Sequence, residues 1–416
     1  MCLIKPFNAY RPDKDLVSKV VSKPYHLYEK EDINRILYEN QYSFLHVIKP
    51  EFGKTAKSKP NSPELFEKSR KMFRDFVSDG ILKHEKDARF YVYEQMSKGE
   101  SHTGIIGCAS VDDYLNGKIR VHEQTLLDRE VVLKNYLEVC DINAEPVCLT
   151  YPASKRIDAI IGDIKRSQPV YNFKDEDGKE HRLWLVERWE HLRGIKENFA
   201  AIPDIYIADG HHRISSSVLL AKEMRLKNPK DSSDEPYNFF MALFFADNQL
   251  KIYEYNRVLS DLNGMSCDGL LERLSQKFDI LPTFRIPVRP EKQHIFGMYV
   301  KKKWYRLNAK PGLYDKNDPS GSLGAAILSD LALAPVFNIH DLRADKRIGF
   351  VSGAKGTKVL QEKVDSGQWA VAFTLCPVKI KQLYRVADCG KTMPPKSTWI
   401  EPKLLSGLTV YNLEIS

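Results

Sequence analysis

Asp204-Ile205-Tyr206-Ile207-Ala208-Asp209-Gly210-His211-His212-Arg213 is the stretch on which the fold turns. Asp204 to Ala208 reads as a short apolar strand. After it Ile214, Val218 and Ala221 recur at helical spacing, with Ser217 and Met224 flanking that stripe. The segment between them therefore sits at a strand-to-helix turn. The start of a helix leaves backbone N–H groups unpaired, and the positive end of the helix dipole points the same way, so such a turn stabilises an anion. Gly210 lets the backbone approach the anion closely, and Arg213 brings a planar fork of donors that matches phosphate oxygens. His211 and His212 can donate hydrogen bonds or shuttle a proton near neutral pH, and Asp209 can hold a metal ion, orient a histidine or cap the helix. The plainer alternative is that Asp209 only caps and Gly210 only turns. Two adjacent histidines and an arginine have little purpose in a simple cap. Their directions differ and no third ligand stands at helical spacing, so no metal site is expected from them.

Working outward, strand-like runs at Arg89 to Glu94, Gly104 to Val111 and Phe239 to Phe245 alternate with helical segments at Leu65 to Ser78 and Arg213 to Leu226. The fold class is mixed, α/β to α+β, with no internal repeat. Polar stretches at Lys54 to Pro63, Asn228 to Pro236 and Ala309 to Ser322 read as loops. Around Leu262-Asn263-Gly264 the composition shifts, and a new helix is expected over Asp268 to Phe278. This sets two regions: residues 1–262, α/β with the phosphate-binding core, and 263–416, a C-terminal α+β region.

A chain of 416 residues with 43% hydrophobic and 28% charged side chains is globular, not disordered. The balance of 63 basic and 55 acidic residues suits anionic small molecules as well as nucleic acid. With no helix-turn-helix and no broad basic stretch, nucleic acid is not the expected partner. Lys301-Lys302-Lys303 reads as a solvated hairpin tip. The seven cysteines form no CxxC pair, which argues against a structural zinc site or a disulfide framework and for a reducing compartment. The start lacks the features of a signal peptide, and the longest apolar run, Phe239 to Ala246, is a buried strand and not a membrane span. A cytoplasmic protein with no membrane partner is the expectation.

Two further constellations carry chemistry. Arg120, His122 and Glu123 follow Tyr114-Leu115-Asn116-Gly117, read as a tight hairpin; Glu123 can deprotonate a hydroxyl while Arg120 binds phosphate, or both belong to an exposed polar element. Met393-Pro394-Pro395-Lys396-Ser397-Thr398 presents a rigid segment with short-range phosphate donors, Lys396, Ser397 and Thr398, with Lys403 beyond; it reads equally as a Pro-rich turn before a last strand. His46, in Phe44-Leu45-His46-Val47, reads as a hydrogen-bonded histidine of an apolar strand.

Ala208 to Arg213, Lys23-Pro24-Tyr25, Tyr42-Ser43-Phe44-Leu45-His46-Val47, Arg120, His122-Glu123-Gln124-Thr125, Met393 to Thr398, Pro402-Lys403 and Ser406-Gly407-Leu408 stand in the order of a known pattern. The chain resembles the domain-of-unknown-function family numbered 1015 over almost its whole length. Its Asp209 to Arg213 core is also similar to that of free-serine kinases, relatives of the sulfiredoxin and ParB folds, in which the loop holds nucleotide phosphates. That second resemblance covers only the loop. It implies a ParB/sulfiredoxin-like nucleotide-binding core, ADP or ATP with Mg²⁺ as cofactors, and phosphoryl transfer to a small hydroxyl substrate such as L-serine. Taken with the readings of the residues above, catalytic roles fall on Asp209, His211, His212 and Glu123, and phosphate binding on Gly210, His211, His212, Arg213, Arg120, Lys396, Ser397, Thr398 and Lys403; the catalytic glutamate of the kinases lies outside the loop and is matched to no position of this chain. The alternatives are a ParB-like nucleotide-binding regulator and a phosphometabolite hydrolase. The sequence departs from the pattern at Pro24-Tyr25-His26, where Asp is expected in place of His26, and at Asn256-Arg257, where a His-Arg pair is expected.

Overall fold

The computed structural model describes residues 2–51, 61–97, 99–228, 233–284 and 286–413. Most of the expected loop from Lys54 to Pro63, and residues 229–232 of that from Asn228 to Pro236, lie outside them. The chain forms two compact units. The first is Met1–Arg120, Gln124–Leu250 and Pro402–Ser416; the second is Val121–Glu123 and Lys251–Glu401. The division after Leu250 lies upstream of the expected boundary at residue 262, and the chain returns to the first unit at Pro402.

The first unit is built on a mixed sheet, nine-stranded among the described residues, in the order Ile119–Arg120, Ile205–Asp209, Val147–Tyr151, Phe239–Ala246, Glu100–Ser110, Tyr91–Ser97, Glu180–Leu185 and Tyr171–Lys174, with Ile4–Lys5 paired to Glu100–Ser110. Every residue of Phe239–Ala246 is buried. It runs parallel to Val147–Tyr151 and antiparallel to Glu100–Ser110, so it lies inside the sheet, where a continuous apolar run is favoured. The helix Pro63–Ser78 starts with proline in its first turn and buries Leu65, Phe66, Phe73 and Phe76 along one face. Phe66, Phe73 and Phe76 join Phe44, Val47, Cys140, Ile142 and Val410 in one apolar cluster. The strand Tyr411–Asn412 reaches this core by pairing with Ile142–Asn143.

The second unit is a six-stranded antiparallel sheet among the described residues, ordered Phe278–Phe284, Lys303–Ala309, Ile295–Val300, Val371–Thr374, Tyr255–Leu259 and Ile348–Ser352. A core including Leu270, Leu274, Phe296, Leu328 and Phe373 packs helices on it. Lys301 and Lys302, both in the left-handed region, turn the hairpin between Val300 and Lys303. The helix beginning at Cys267 stops at Ser275, because Phe278 is already the first residue of a strand.

Two local expectations fail for identifiable reasons. Tyr114 to Gly117 is not a hairpin turn. Ser110 Oγ accepts from the Asp112 amide and caps a short helix, Val111–Leu115, which Gly117 closes at φ +71. Likewise Leu45–Ile48 is a helical turn and not a strand, started by Ser43, whose Oγ accepts from the Leu45 amide. His46 stays hydrogen-bonded there, its Nε2 lying 3.1 Å from the Asn40 carbonyl.

Candidate phosphate-binding site

The strand Ile205–Asp209 ends in a bulge. Ile207 faces Leu149 and Asp209 faces Cys148, so Ala208 and Asp209 together oppose one position of the partner strand. A bulge bends its strand and re-aims the next side chain, here that of Asp209, which keeps 41% of its surface exposed. Gly210 follows at φ +101, a conformation that favours glycine, and is the N-cap of the 17-residue helix His211–Lys227. Asp209 is therefore not the cap, and its carboxylate is engaged elsewhere: Lys403 Nζ donates to Asp209 Oδ2 at 2.9 Å. Ile214, Val218 and Ala221 are all buried, which fixes the helix against the sheet.

Arg213 folds back over the glycine. A Cβ on Gly210 would stand 3.0 Å from both Nε and Nη2 of Arg213. Nη1 donates to the Pro146 carbonyl at 2.5 Å and lies 3.8 Å from the Glu145 carboxylate, which in turn accepts from Ser406 Oγ at 2.7 Å. This arrangement follows from the sheet. Because Val147–Tyr151 runs antiparallel to Ile205–Asp209, the residues that precede it, Glu145 and Pro146, arrive beside the start of the helix.

The charge is unevenly shared. Although its side chain is partly exposed, the Asp209 carboxylate loses hydration among its neighbours; the fields of Lys403 and then Arg213 outweigh that loss, and the carboxyl titrates well below the usual carboxylate range. His211 is 5% exposed, and burial pushes its imidazole down to about 4, with Asp209 opposing. It is neutral at physiological pH, so the positive charge of the loop comes from Lys403 and Arg213. His212 Nε2 accepts from the Leu126 amide at 3.1 Å, which fixes the orientation of its ring. His26 also feels this cluster: desolvation holds it below its ordinary value, Asp209 and Glu145 pull it up, and Lys403 and Arg213 push it down.

The structure thus brings Asp209, Gly210, His211, His212, Arg213 and Lys403 together within the first unit. Arg120 is placed differently. It pairs with Asp204 at 3.0 Å, across from Tyr206, near the start of the strand whose far end carries Asp209. Glu123, Lys396, Ser397 and Thr398 belong to the second unit. There the Met393 amide donates to the His122 carbonyl, so the two sequence motifs are neighbours. Lys396 adopts φ +56, and Ser397 Oγ donates to the Pro394 carbonyl at 2.6 Å. Arg257 holds this turn from below: fully buried, it donates to the Lys396 carbonyl at 3.0 Å and the Pro395 carbonyl at 3.4 Å. Burial pushes its guanidinium down to about 9. Glu145 and the anchoring role of Arg257 are not visible in the sequence, since their partners are remote and no local pattern marks them. Among the described residues no group of three His, Cys, Asp or Glu side chains is disposed to hold a metal ion, and no helix is long and apolar enough to cross a membrane.

A family model described as a protein of unknown function, DUF1015, matches residues 4–331. No match was found among curated proteins. Among solved structures, the chain is similar to a free serine kinase in complex with AMP, at 12% identity and a TM-score of 0.36, covering 74% of this chain and 91% of that one. It is also similar to C-terminally truncated SbnI from Staphylococcus aureus (15% identity, TM-score 0.35, 71% of this chain and 82% of that one) and to a conserved hypothetical protein from Pyrococcus furiosus (14%, 0.33, 74% and 95%).

Proposed function

The chain belongs to that family, DUF1015, and we propose that this member is a small-molecule phosphotransferase whose Asp209 to Arg213 loop holds the phosphates of ADP or ATP. The observation that carries the reading is the pairing of Lys403 with Asp209 at the bulged strand end, immediately before a glycine-capped helix. It puts a lysine and an arginine at a helix start, where the dipole already favours an anion. The core is then of the ParB/sulfiredoxin-like, nucleotide-binding kind. Mg²⁺ suits this site as a companion of the nucleotide: Asp209 stays ionised, and magnesium is commonly held by one or two carboxylates together with phosphates. When bound it would neutralise charge on the phosphate oxygens.

Phosphoryl transfer asks the protein for positioning and charge stabilisation more than for covalent chemistry. Arg213 supplies a forked donor and Lys403 a point charge. His211, being neutral, adds no charge, and the ring of His212 is held beside the helix start by the Leu126 amide. The acceptor hydroxyl oxygen attacks the terminal phosphorus, its bond to the bridging oxygen breaks, the shortened nucleotide leaves, and the hydroxyl proton passes to solvent. L-serine is the first acceptor to test. Incubation with ADP or ATP, Mg²⁺ and a panel of hydroxyl metabolites, read by phosphorus NMR, should give a phosphomonoester. Bound nucleotide with no transfer to any acceptor would leave a nucleotide-responsive switch in place of an enzyme.

A further inference from the structure

A cavity of about 150 Å³ adjoins the loop inside the first unit, with Leu65, Phe66, Tyr136 and Asn143 in its wall and Arg213 and Ser217 on the helix side. A hole of roughly that size accommodates one benzene-sized ring. Its wall is apolar on the side of Leu65, Phe66, Val132 and Leu133; Lys49, Glu51, Glu145 and Arg213 bring charge to it, and two of its polar groups are poorly satisfied. Asn143 is 6% exposed; its Oδ1 accepts from the Met241 amide at 3.2 Å, but its Nδ2 is buried without a hydrogen-bond partner among the described residues. The Tyr136 hydroxyl is buried with nothing better near it, among those residues, than the thiol of Cys140. A buried amide donor left unpaired is costly, and native interiors rarely keep one without reason.

The chemistry of an occupant follows from these walls. Its body is flat and uncharged, because ionic groups would lose their hydration against Leu65 and Phe66. Its edge carries an acceptor for Asn143 Nδ2. Its anionic part lies toward Arg213. A nucleoside base with a phosphate tail meets all three conditions. We propose that this cavity is the base subsite of the nucleotide: one ring of the base lies against Phe66 and Leu65 with an edge acceptor on Asn143, and the phosphates run to Gly210 and Arg213. This rests on the phosphate-binding reading above and adds where the base is read.

The test is calorimetric titration of the full chain with ADP and, separately, with inorganic pyrophosphate. In the native protein ADP binds at least about tenfold more tightly than pyrophosphate, since the base adds burial and a hydrogen bond. Ser217→Leu fills the cavity from the helix side, and Asn143→Asp keeps the acceptor for the Met241 amide while removing the donor. Each lowers ADP affinity by about tenfold or more and leaves pyrophosphate affinity in place. Equal affinity of the native protein for ADP and pyrophosphate overturns the base subsite without needing any variant to fold. Undiminished ADP binding by folded Ser217→Leu and Asn143→Asp does the same, with the phosphate site intact. Failure of the native protein to bind either ligand overturns the phosphate site and the base subsite together.

Discussion

Gly210→Ala tests the turn on which the site is built. At φ +101 an alanine is strained, and its Cβ would stand 3.0 Å from Nε and Nη2 of Arg213, so the guanidinium has to leave its place under the Pro146 carbonyl. Left-handed strain costs about 1 to 2 kcal/mol for a residue with a side chain. The displaced charged hydrogen bond adds about 1.5 to 3 kcal/mol, at the lower end because Arg213 keeps 27% of its side chain exposed and rehydrates. The expected loss is about 3 kcal/mol. Gly178→Ala provides the comparison: its φ is +75 and nothing lies within 4 Å of its added Cβ, so strain acts alone and the loss stays near 1 to 2 kcal/mol. Urea unfolding followed by circular dichroism measures both, and pyrophosphate titration of the folded variants should show weakened binding for Gly210→Ala alone. Equal losses for the two alanines, with pyrophosphate bound normally, would refute the account of Arg213 packed over the glycine.

Other outcomes follow from the same geometry. Arg213→Ala should abolish measurable pyrophosphate binding in calorimetry while leaving the circular dichroism spectrum unchanged, since a half-buried surface arginine is removed and no core. Lys403→Met should weaken pyrophosphate binding by about tenfold or more, because it removes a charged donor and leaves the negative Asp209 facing the ligand. His211 has a folded pKa of about 4 against 6.5, so the unfolded chain takes up the proton first; stability is full above about pH 6.5 and falls by about 3 kcal/mol toward pH 4. His211→Gln should flatten the urea stability profile across that window. If the transfer reaction is found, His212→Ala should lower kcat more than it raises KM, because a donor aimed at the transferring group acts on the transition state; the reverse split would mark His212 as a ground-state anchor.

The strand, turn and helix around Gly210 are legible in the sequence because every interaction that forms them is local: an apolar run, a glycine, and Ile214, Val218 and Ala221 one turn apart. Lys403 is visible as a basic residue, but its partner Asp209 lies 194 residues away and no pattern announces the pair. Asn116-Gly117 misleads for the opposite reason: the dipeptide suits a hairpin, and the capping bond from Ser110, six residues earlier, decides for a helix end. The division of the chain is obscured in the same way. Composition shifts near residue 262, whereas the units are defined by which strands pair, and the pairing of Tyr411 with Asn143 is invisible before the fold is known. The poorly satisfied amide of Asn143 is likewise a property of packing, not of spelling.

The return of the chain at Pro402 has a consequence for biosynthesis. The first unit takes Lys403 and the strand Tyr411–Asn412 from residues that are made only after roughly 150 residues of the second unit. At typical elongation rates this holds the first unit incomplete for roughly 8 to 30 s, with Asp209 lacking its lysine and the edge at Ile142–Asn143 open. Chains that stop short of Pro402 therefore lack both the lysine that pairs with Asp209 and the strand that pairs with Ile142–Asn143, and should bind pyrophosphate more weakly than chains that extend past them.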